Sequence, residues 1–365
     1  MNRLVLIGNG FDIAHGLKTR YADFISWYWS DMGYRLLHGN SNIVSDELCS
    51  FTLNDDIEAP TWASAFQGWY YKREKPWIPW DVNEVVKLAK ENTQLCEFKY
   101  NGEFFERINK SIETKGWVDI EREYYTLLVL LYSFVEGNYR NLNKKLECLR
   151  DKLIDYLKVE SKNECAMIES IKEKIYCPIQ EREIAVSSRD ILHDNGFAPK
   201  SIMLLNFNYT NTAQSYCKAG SSFTVNHIHG KVEEPKSIIF GYGDELDEDY
   251  KKISNRNDNT LLTNVKSIKY LEADNYRKML SFIESEPYQV VIMGHSCGNS
   301  DRTLLNTLFE HKNCVSIKPY FYIKDDGSDS YLELIQNISR NFTDMKLMRD
   351  RVVNKTFAEP LTKPK

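Results

Sequence analysis

Apolar residues fall into short continuous runs near both ends of the chain. Residues 4–7 form one such run, which ends at Gly8. A run this short and uniform is typical of a strand buried on both faces of a parallel sheet. Strand signals return at residues 201–207, 223–228 and 288–293, the last of which is the strongest in the second half of the chain. We therefore expect a parallel sheet to which both ends of the chain contribute.

Spacings of three and four between apolar residues predict helices in the rest of the chain. The first helix begins near Tyr21 with Thr19 as its N-cap, so the chain opens as strand, loop and helix. The middle of the chain is also predicted to be mainly helical, although residues 120–136 are apolar nearly all round, which indicates a buried helix. Helices are predicted there at residues 120–136, 142–156 and 167–175, with later ones at 267–284 and 304–309.

Three further segments complete the pattern. Residues 237–240 and 319–323 are predicted strands, and the polar segment 244–264 is a predicted mobile loop. Strands at both ends of a helical block indicate an α/β fold in which a helical lobe is inserted into a sheet domain. The predicted domains are residues 1–40 with 200–365 for the nucleotide-binding sheet domain, and 41–199 for the mainly helical lobe.

Composition narrows the class of protein. The chain has 365 residues and a net charge of −5, which gives no general attraction to nucleic acid or anionic membranes. Its eight cysteines contain no Cys-x-x-Cys pair, so we expect neither a zinc module nor a disulfide framework. The longest apolar stretch, residues 127–135, is about half a membrane span. A cytoplasmic protein with no membrane partner is predicted.

The first candidate site is the loop Gly8-Asn9-Gly10-Phe11-Asp12, which directly follows the first predicted strand. Glycines permit a tight turn and let backbone N–H groups approach a phosphate closely. Asp12 is a candidate partner for a ribose hydroxyl, and Lys18 and Arg20 are candidates to neutralise phosphate. An ordinary strand-to-helix turn is the alternative interpretation of this loop.

Two polar motifs follow later predicted strands. They are Asn206-Phe207-Asn208-Tyr209-Thr210 and His227-Ile228-His229-Gly230. Ligands in open α/β sheets bind outside the carboxyl ends of the strands, where asparagine orients water or sugar hydroxyls and neutral histidine acts as a base. Turn capping by asparagine and a core histidine are the alternatives. A metal at the His-x-His pair has no Glu or Cys at ligand spacing to support it.

A third motif, Gly294-His295-Ser296-Cys297-Gly298, fits the Gly-x-Ser-x-Gly nucleophile elbow. That fold needs an acid and then a histidine after the serine, but only His311 follows, and no His-Gly-Gly-Gly segment precedes. A serine hydrolase centred on Ser296 is therefore one alternative. The same glycines and Ser296 also fit a second nucleotide-binding loop, with Asp301 at the start of the next helix.

An aromatic and basic segment lies in the middle block at residues 69–77. Aromatic rings that alternate with cations can stack on single-stranded nucleic acid. Because the chain as a whole is acidic, we prefer packing within an irregular, tryptophan-rich lobe with a solvated basic edge.

Together these motifs resemble the AbiH family of bacteriophage abortive-infection proteins. The matching blocks are residues 6–21, the Asn206 and His227 motifs, Phe240-Gly241-Tyr242-Gly243, and Gly294-His295-Ser296 with Asp301. The same order is similar to a sirtuin-like NAD-binding fold, which has a Gly-x-Gly loop after strand one, then an Asn-Tyr-Asp segment and a His-Gly. The resemblance implies a sirtuin-like, Rossmann-type parallel sheet with a large helical insertion.

The resemblance also implies a function: an anti-phage effector that binds NAD and hydrolyses it to nicotinamide and ADP-ribose. By position, Asn208 stands at the catalytic asparagine and His229 at the catalytic histidine. Thr210 replaces the aspartate of the pattern, and the four-cysteine zinc module is absent, which argues against protein deacylation. The residues implied to bind NAD are Gly8, Asn9, Gly10, Phe11, Asp12, Thr19, Arg20, Tyr209, Gly294, Ser296 and Asp301.

Other expectations accompany this function. A phage-derived trigger is implied, together with a homo-oligomer or a defence-system partner. No metal is expected. A non-catalytic nucleotide-sensing module that gates a partner or an assembly is the main alternative.

Overall fold

The structure, a computed structural model, describes residues 1–38, 41–53, 96–133, 138–163, 165–191, 198–217 and 222–362. The chain divides into two compact units, Met1–Lys18 with Leu157–Lys365, and Thr19–Tyr156. The aromatic and basic segment 69–77 and the end of the predicted helix at 134–136 lie outside the described residues. The predicted domain boundaries near residues 41 and 199 stay predictions.

The strands are numbered in chain order. They are β1 (Asn2–Ile7), β2 (Ile43–Ser45), β3 (Cys49–Leu53), β4 (Cys96–Tyr100), β5 (Ile202–Asn206), β6 (Phe223–His227), β7 (Tyr288–Met293) and β8 (Cys314–Tyr320).

The α-helices follow the same numbering. They are α1 (Asn9–Ala14), α2 (Tyr21–His38), α3 (Glu103–Lys115), α4 (Ile120–Tyr132), α5 (Tyr139–Glu160), α6 (Glu169–Tyr176), α7 (Glu248–Ser254), α8 (Lys266–Lys269), α9 (Asn275–Ser285), α10 (Arg302–Glu310), α11 (Tyr331–Arg340) and α12 (Met345–Arg351). Short 3₁₀ turns lie at Glu181–Glu183, Val186–Ile191, Thr212–Tyr216, Pro235–Ser237, Asn259–Leu262, Tyr270–Glu272, Asn299–Asp301 and Lys355–Phe357. Within the described ranges, no helix combines the length and the apolar character needed to cross a bilayer.

Among the described residues of the first unit, five parallel strands form a sheet in the order β6-β5-β1-β7-β8. The central strand β1 is buried along its whole length. Its Leu4 and Leu6 join one hydrophobic cluster, while Val5 and Ile7 join a second. Because successive side chains of a strand point to opposite faces, the sheet has a core on each face. The predicted α/β fold with a Rossmann-like parallel sheet is confirmed.

The strand order contains a reversal that positions the candidate site. From β1 the chain passes to β5 and β6 on one side, then crosses to β7 and β8 on the other. The reversal therefore lies between β1 and β7. Open α/β sheets bind ligands in the crevice outside the carboxyl ends of the strands at such a switch point.

Several predicted elements differ from the structure. Residues 238–240 are not a strand. The segment 244–264, expected to be a loop, contains α7 and a 3₁₀ turn at Asn259–Leu262. Asp247 caps α7 by accepting a hydrogen bond from the Asp249 N–H, and Ile253 is buried, so local capping and one apolar contact outweigh the polar composition.

Two further predictions have shifted boundaries. The helix expected at 267–284 is split into α8, a 3₁₀ turn and α9. The last strand begins at Cys314 instead of residue 319. Ser316 and Lys318 interrupt its apolar pattern, but both are buried, because they meet polar partners inside the protein.

Those partners form a buried polar network on the sheet. Gln289 of β7 accepts hydrogen bonds from the Arg3 guanidinium at 2.8 and 3.1 Å and donates to Glu183 at 2.9 Å. Glu183 pairs with Lys318 of β8 at 2.8 Å, and Arg3 also donates to the carbonyl oxygen of Cys177 at 2.7 Å. The polar residues within these strands are therefore satisfied by one another.

In the second unit, β2, β3 and β4 form an antiparallel sheet, which the sequence did not predict. Its core is aromatic: Trp29 of α2 packs against Phe51 and Phe105. The indole N–H of Trp29 donates to Asn109 at 2.8 Å, which satisfies this buried donor.

Candidate functional site

The segment 8–12, predicted as a loop, consists of Gly8 and the start of the short helix α1, which precedes the predicted first helix. We keep the name β1 loop for it. Its backbone is joined to that of the loop after β7. Gly8 donates its N–H to the carbonyl oxygen of Met293 at 3.2 Å, and Gly10 donates to Gly294 at 2.8 Å. Gly294 has φ +74°, and a Cβ there would overlap the backbone nitrogen of Phe11. The glycines thus allow two loops to pack closely. The two N–H groups expected at phosphate are engaged here, and their binding of NAD stays a prediction.

The loop after β5 is tied to the same place. The side-chain amide of Asn208 donates to the carbonyl oxygen of Gly8 at 3.0 Å. The Asn208 N–H donates to the side-chain oxygen of Asn206, whose amide in turn donates to the carbonyl oxygen of Thr210. Local asparagine turn chemistry therefore places Asn208 against the β1 loop.

Asp12 is a buried carboxyl with one satisfied oxygen. The Thr210 hydroxyl donates to its Oδ2 at 2.6 Å, whereas Oδ1 accepts no hydrogen bond from the described residues. Burial raises the pKa of Asp12 to about 6, although the Thr210, Thr212 and Asn208 side chains act to lower it. Asp12 is thus a titratable acceptor at the carboxyl end of the sheet.

His229 belongs to another group of buried polar side chains, separate from the contacts of Asp12. Asp301 Oδ1 lies 2.8 Å from Lys266 Nζ and 3.3 Å from His229 Nε2. Asp301 Oδ2 lies 3.7 Å from His295 Nε2, and the Tyr270 hydroxyl lies 3.0 Å from His229 Nε2. We call these five side chains the His229–Asp301 cluster. Lys266 is only 1% exposed, so its charge needs this carboxylate.

The charges in the cluster follow from its burial. Burial acts to raise the pKa of Asp301, but the nearby Lys266 and His229 outweigh it and hold that pKa well below its usual range. Burial and the Lys266 charge lower the pKa of His229, against the opposing effect of Asp301. The cluster therefore contains an ammonium, a carboxylate and a neutral His229 near neutral pH.

The two halves of the His-x-His motif have different surroundings. His227 Nδ1 lies 3.3 Å from the Asn206 side-chain amide, whereas His229 contacts Tyr270 and Asp301. Within the ranges that the structure describes, no group of three or more His, Cys, Asp or Glu side chains is arranged to hold a metal ion.

The geometry around Ser296 does not match a serine-hydrolase triad. The strained backbone lies at Cys297, with φ +54°, and Ser296 itself is exposed. His311, the histidine that the triad order requires, contacts Glu284 at 3.1 Å. The Ser296 carbonyl oxygen accepts a hydrogen bond from Asn337, which is a structural contact.

The other predicted NAD-binding residues have different surroundings. Phe11 is fully buried and packs against Tyr216, so its observed contacts are those of a core residue. Asn9 is exposed, and Tyr209 donates its hydroxyl to the Ile239 carbonyl oxygen. Thr19 and Arg20 belong to the second unit, where the Arg20 N–H donates to Asp23. The roles of all these residues toward NAD stay predictions.

Sequence reasoning did not identify Lys266 and Tyr270, and it did not assign His295 a role. Lys266 lies 35 positions before its partner Asp301, and no sequence motif includes both residues. A signal was available for His295, because it lies inside the Gly294-His295-Ser296 block.

Comparison with known proteins supplies the family. The sequence model of the family described as bacteriophage abortive infection AbiH matches residues 4–322. A search of curated proteins finds no match. The matched span includes the loops after β1, β5, β6 and β7 and most of the chain. The chain therefore belongs to the AbiH family of bacteriophage abortive infection.

Proposed function

We propose that this protein is an abortive-infection effector that binds NAD at the carboxyl edge of its parallel sheet and hydrolyses it. The observation that carries the proposal is the meeting of the β1, β5 and β7 loops at the point where the strand order reverses. Crevices at such points are the usual ligand sites of open α/β sheets. Membership of the AbiH family supplies the anti-phage setting.

Asp12 supports binding of a sugar at this edge. Its Oδ1 is buried and lacks a hydrogen-bond donor among the described residues, and an unsatisfied buried acceptor costs about 1–3 kcal/mol. A ribose hydroxyl is a donor of suitable chemistry. Because Gly8 and Gly10 already donate to backbone carbonyls, we assign recognition of the ribose mainly to side chains.

Hydrolysis of NAD requires the protein mainly to position the sugar and the attacking water. The bond between the ribose C1′ and the nicotinamide nitrogen breaks, its electron pair leaves with nicotinamide, and a water oxygen bonds to C1′. The water then loses one proton. The sugar is oxocarbenium-like in the transition state, so stabilisation of charge matters more than a strong nucleophile.

Two side chains are assigned to these steps. The Asn208 amide N–H group is held by Gly8, which leaves its side-chain oxygen to accept a hydrogen bond from the attacking water. His229 is neutral because burial and Lys266 lower its pKa, so it can accept the proton that the water loses. Nicotinamide leaves as a neutral molecule and needs no acid.

The test is nicotinamide release from NAD by the purified full-length chain, together with NAD levels in phage-infected cells that express it. Asn208→Ala and His229→Ala should each abolish turnover. Asn255→Ala and His311→Ala are matched controls outside the site and should retain it. If neither the purified chain nor infected cells consume NAD, hydrolysis is wrong.

A non-catalytic nucleotide sensor is the second candidate, and one observation favours it. Both proposed catalytic side chains already make intramolecular contacts, Asn208 with Gly8 and His229 with Asp301. Under this function, NAD or ADP-ribose raises the thermal unfolding temperature of the chain without release of nicotinamide. Thermal unfolding with NAD or ADP-ribose tests binding, and the nicotinamide assay tests cleavage. Binding without cleavage indicates a sensor, and cleavage indicates an enzyme.

A further inference from the structure

The His229–Asp301 cluster contains a carboxylate that faces two imidazole rings. Asp301 Oδ1 faces Nε2 of His229 at 3.3 Å, and Oδ2 faces Nε2 of His295 at 3.7 Å. Lys266 lies 2.8 Å from Oδ1 and is almost wholly buried with it. The ammonium keeps Asp301 ionised, so its negative charge lies close to both rings.

This arrangement determines where the proton of His229 lies. A lone pair on Nε2 would lie 3.3 Å from the ionised Asp301 oxygen and be repelled by it. A proton on Nε2 is attracted instead, as in other His–Asp pairs in which the carboxylate fixes the tautomer. The Tyr270 hydroxyl, 3.0 Å from the same nitrogen, then accepts the Nε2–H hydrogen bond, while the nearby Asp301 charge stabilises the proton.

The charge balance of the cluster favours a His229 ring that carries a single proton. Lys266 and Asp301 cancel when both histidines are neutral, which leaves a buried group with no net charge. His295 Nδ1 accepts the Cys297 N–H at 3.0 Å, so a neutral His295 carries its proton on Nε2, toward Asp301. A second positive charge on His229 would be buried without a carboxylate of its own.

We propose that Lys266 and Asp301 are a positioning pair, which holds the His229 proton on Nε2 and leaves Nδ1 as the atom that accepts a proton from the attacking water. The role in proton transfer rests on the proposed NAD hydrolysis. The position of the proton does not, because it follows from contacts within the protein. Asp301 then acts through His229 and does not bind NAD directly, which departs from the role that the family resemblance implied.

The direct test is ¹⁵N NMR of the full chain with labelled histidine, in which protonated and unprotonated ring nitrogens resonate far apart. His229→Gln identifies the His229 signals. The expected result is a proton on Nε2 in the wild-type chain. A proton on Nδ1 would overturn the proposal, and this measurement needs no variant of the buried pair.

A double variant shows what controls the tautomer. Lys266→Met combined with Asp301→Leu removes both charges together, a replacement that buried ion pairs often tolerate. The Tyr270 hydroxyl then donates to Nε2, and the His229 proton should move to Nδ1. Tyr270→Phe, the matched control, leaves Asp301 in place and should keep the proton on Nε2. An unchanged tautomer in the double variant contradicts control by the pair.

Kinetics separate this inference from the proposed function. If the chain hydrolyses NAD, the double variant should lower kcat by about 10²- to 10⁴-fold with little change in KM, as for loss of a positioned base. A rise in KM with unchanged kcat would instead make Asp301 a direct NAD ligand. If neither the purified wild-type chain nor infected cells consume NAD, hydrolysis fails, while the NMR result still decides where the His229 proton lies.

Discussion

Gly10 donates its backbone N–H to the carbonyl oxygen of Gly294 at 2.8 Å, and this bond joins the loops after β1 and β7. The two glycines are so close that a Cβ on Gly10 would lie 2.9 Å from the Gly294 Cα. The glycines of the first loop therefore serve contact between loops. Because the contact lies where the strand order reverses, it sets the shape of the edge at which we place NAD.

Gly294→Ala should destabilise the protein by about 2 kcal/mol or more. The alanine would have an unfavourable positive φ, and its Cβ would overlap the Phe11 nitrogen. Gly327→Ala is the matched control: its φ is +81°, but no atom lies within 4 Å, so only the backbone cost of about 1 kcal/mol applies. Urea unfolding compares the two. Equal losses of unfolding free energy in the two variants would show that the contact between Gly294 and Phe11 is not tight.

Asp12 should make stability fall as pH rises from about 4 to about 6. Burial raises its folded-state pKa from 3.8 to about 6, so the protonated folded form is favoured, and this contribution is lost as the carboxyl ionises. Asp12→Asn should therefore gain stability relative to wild type between pH 4.5 and 7.5, by up to about 3 kcal/mol. Thermal unfolding across this range measures the gain.

Asp326→Asn provides a control, because the pH dependence of stability that Asp326 contributes has the opposite sign to that of Asp12. Asp326 is exposed, and hydrogen bonds from the Ser328 hydroxyl and N–H lower its pKa. Its contribution to stability is present at neutral pH and is lost as pH falls. If the two variants show the same pH trend, the burial of Asp12 is not the cause.

The sheet was largely predictable because most of its strands are buried on both faces. Residues 4–7 of β1 and 290–293 of β7 are continuous apolar runs, so each strand shows the signal by itself. The start of β8 was missed because Ser316 and Lys318 break its pattern. Their buried partners come from β7 and from a 3₁₀ turn, and no local pattern in a sequence encodes such contacts.

The candidate site was predictable to the level of loops. Polar motifs after β1, β5 and β7 do meet at one edge, as the carboxyl-end rule implies. The rule does not say which side chains pair there. The Lys266–Asp301 contact joins α8 to the turn before α10, and only the tertiary fold brings these two short elements together.

Lys318→Met should destabilise the chain by about 3–5 kcal/mol, because it leaves Glu183 as an unpaired buried charge. Adding Glu183→Gln should restore more than half of the loss, since the new amide oxygen still accepts the hydrogen bond from Gln289. Lys172→Met is the control. Lys172 pairs with the exposed Glu169 at 2.7 Å, and its loss should cost at most about 1 kcal/mol. A double-mutant cycle from urea unfolding gives these values.

Asn208→Asp should destabilise the protein more than Asn208→Ala at pH 8. The amide that donates to the Gly8 carbonyl becomes a carboxylate that faces this carbonyl and the buried Asp12, which costs about 1–3 kcal/mol beyond the lost hydrogen bond. The excess should shrink at pH 5, where the substituted side chain is protonated more often and can donate again. It should also shrink in an Asp12→Asn background, which removes the neighbouring charge. Thermal unfolding of Asn208→Asp and Asn208→Ala, each alone and combined with Asp12→Asn, measures this excess at both pH values. An excess that depends on neither pH nor Asp12 would show that the Asn208 side chain does not face the Gly8 carbonyl and Asp12.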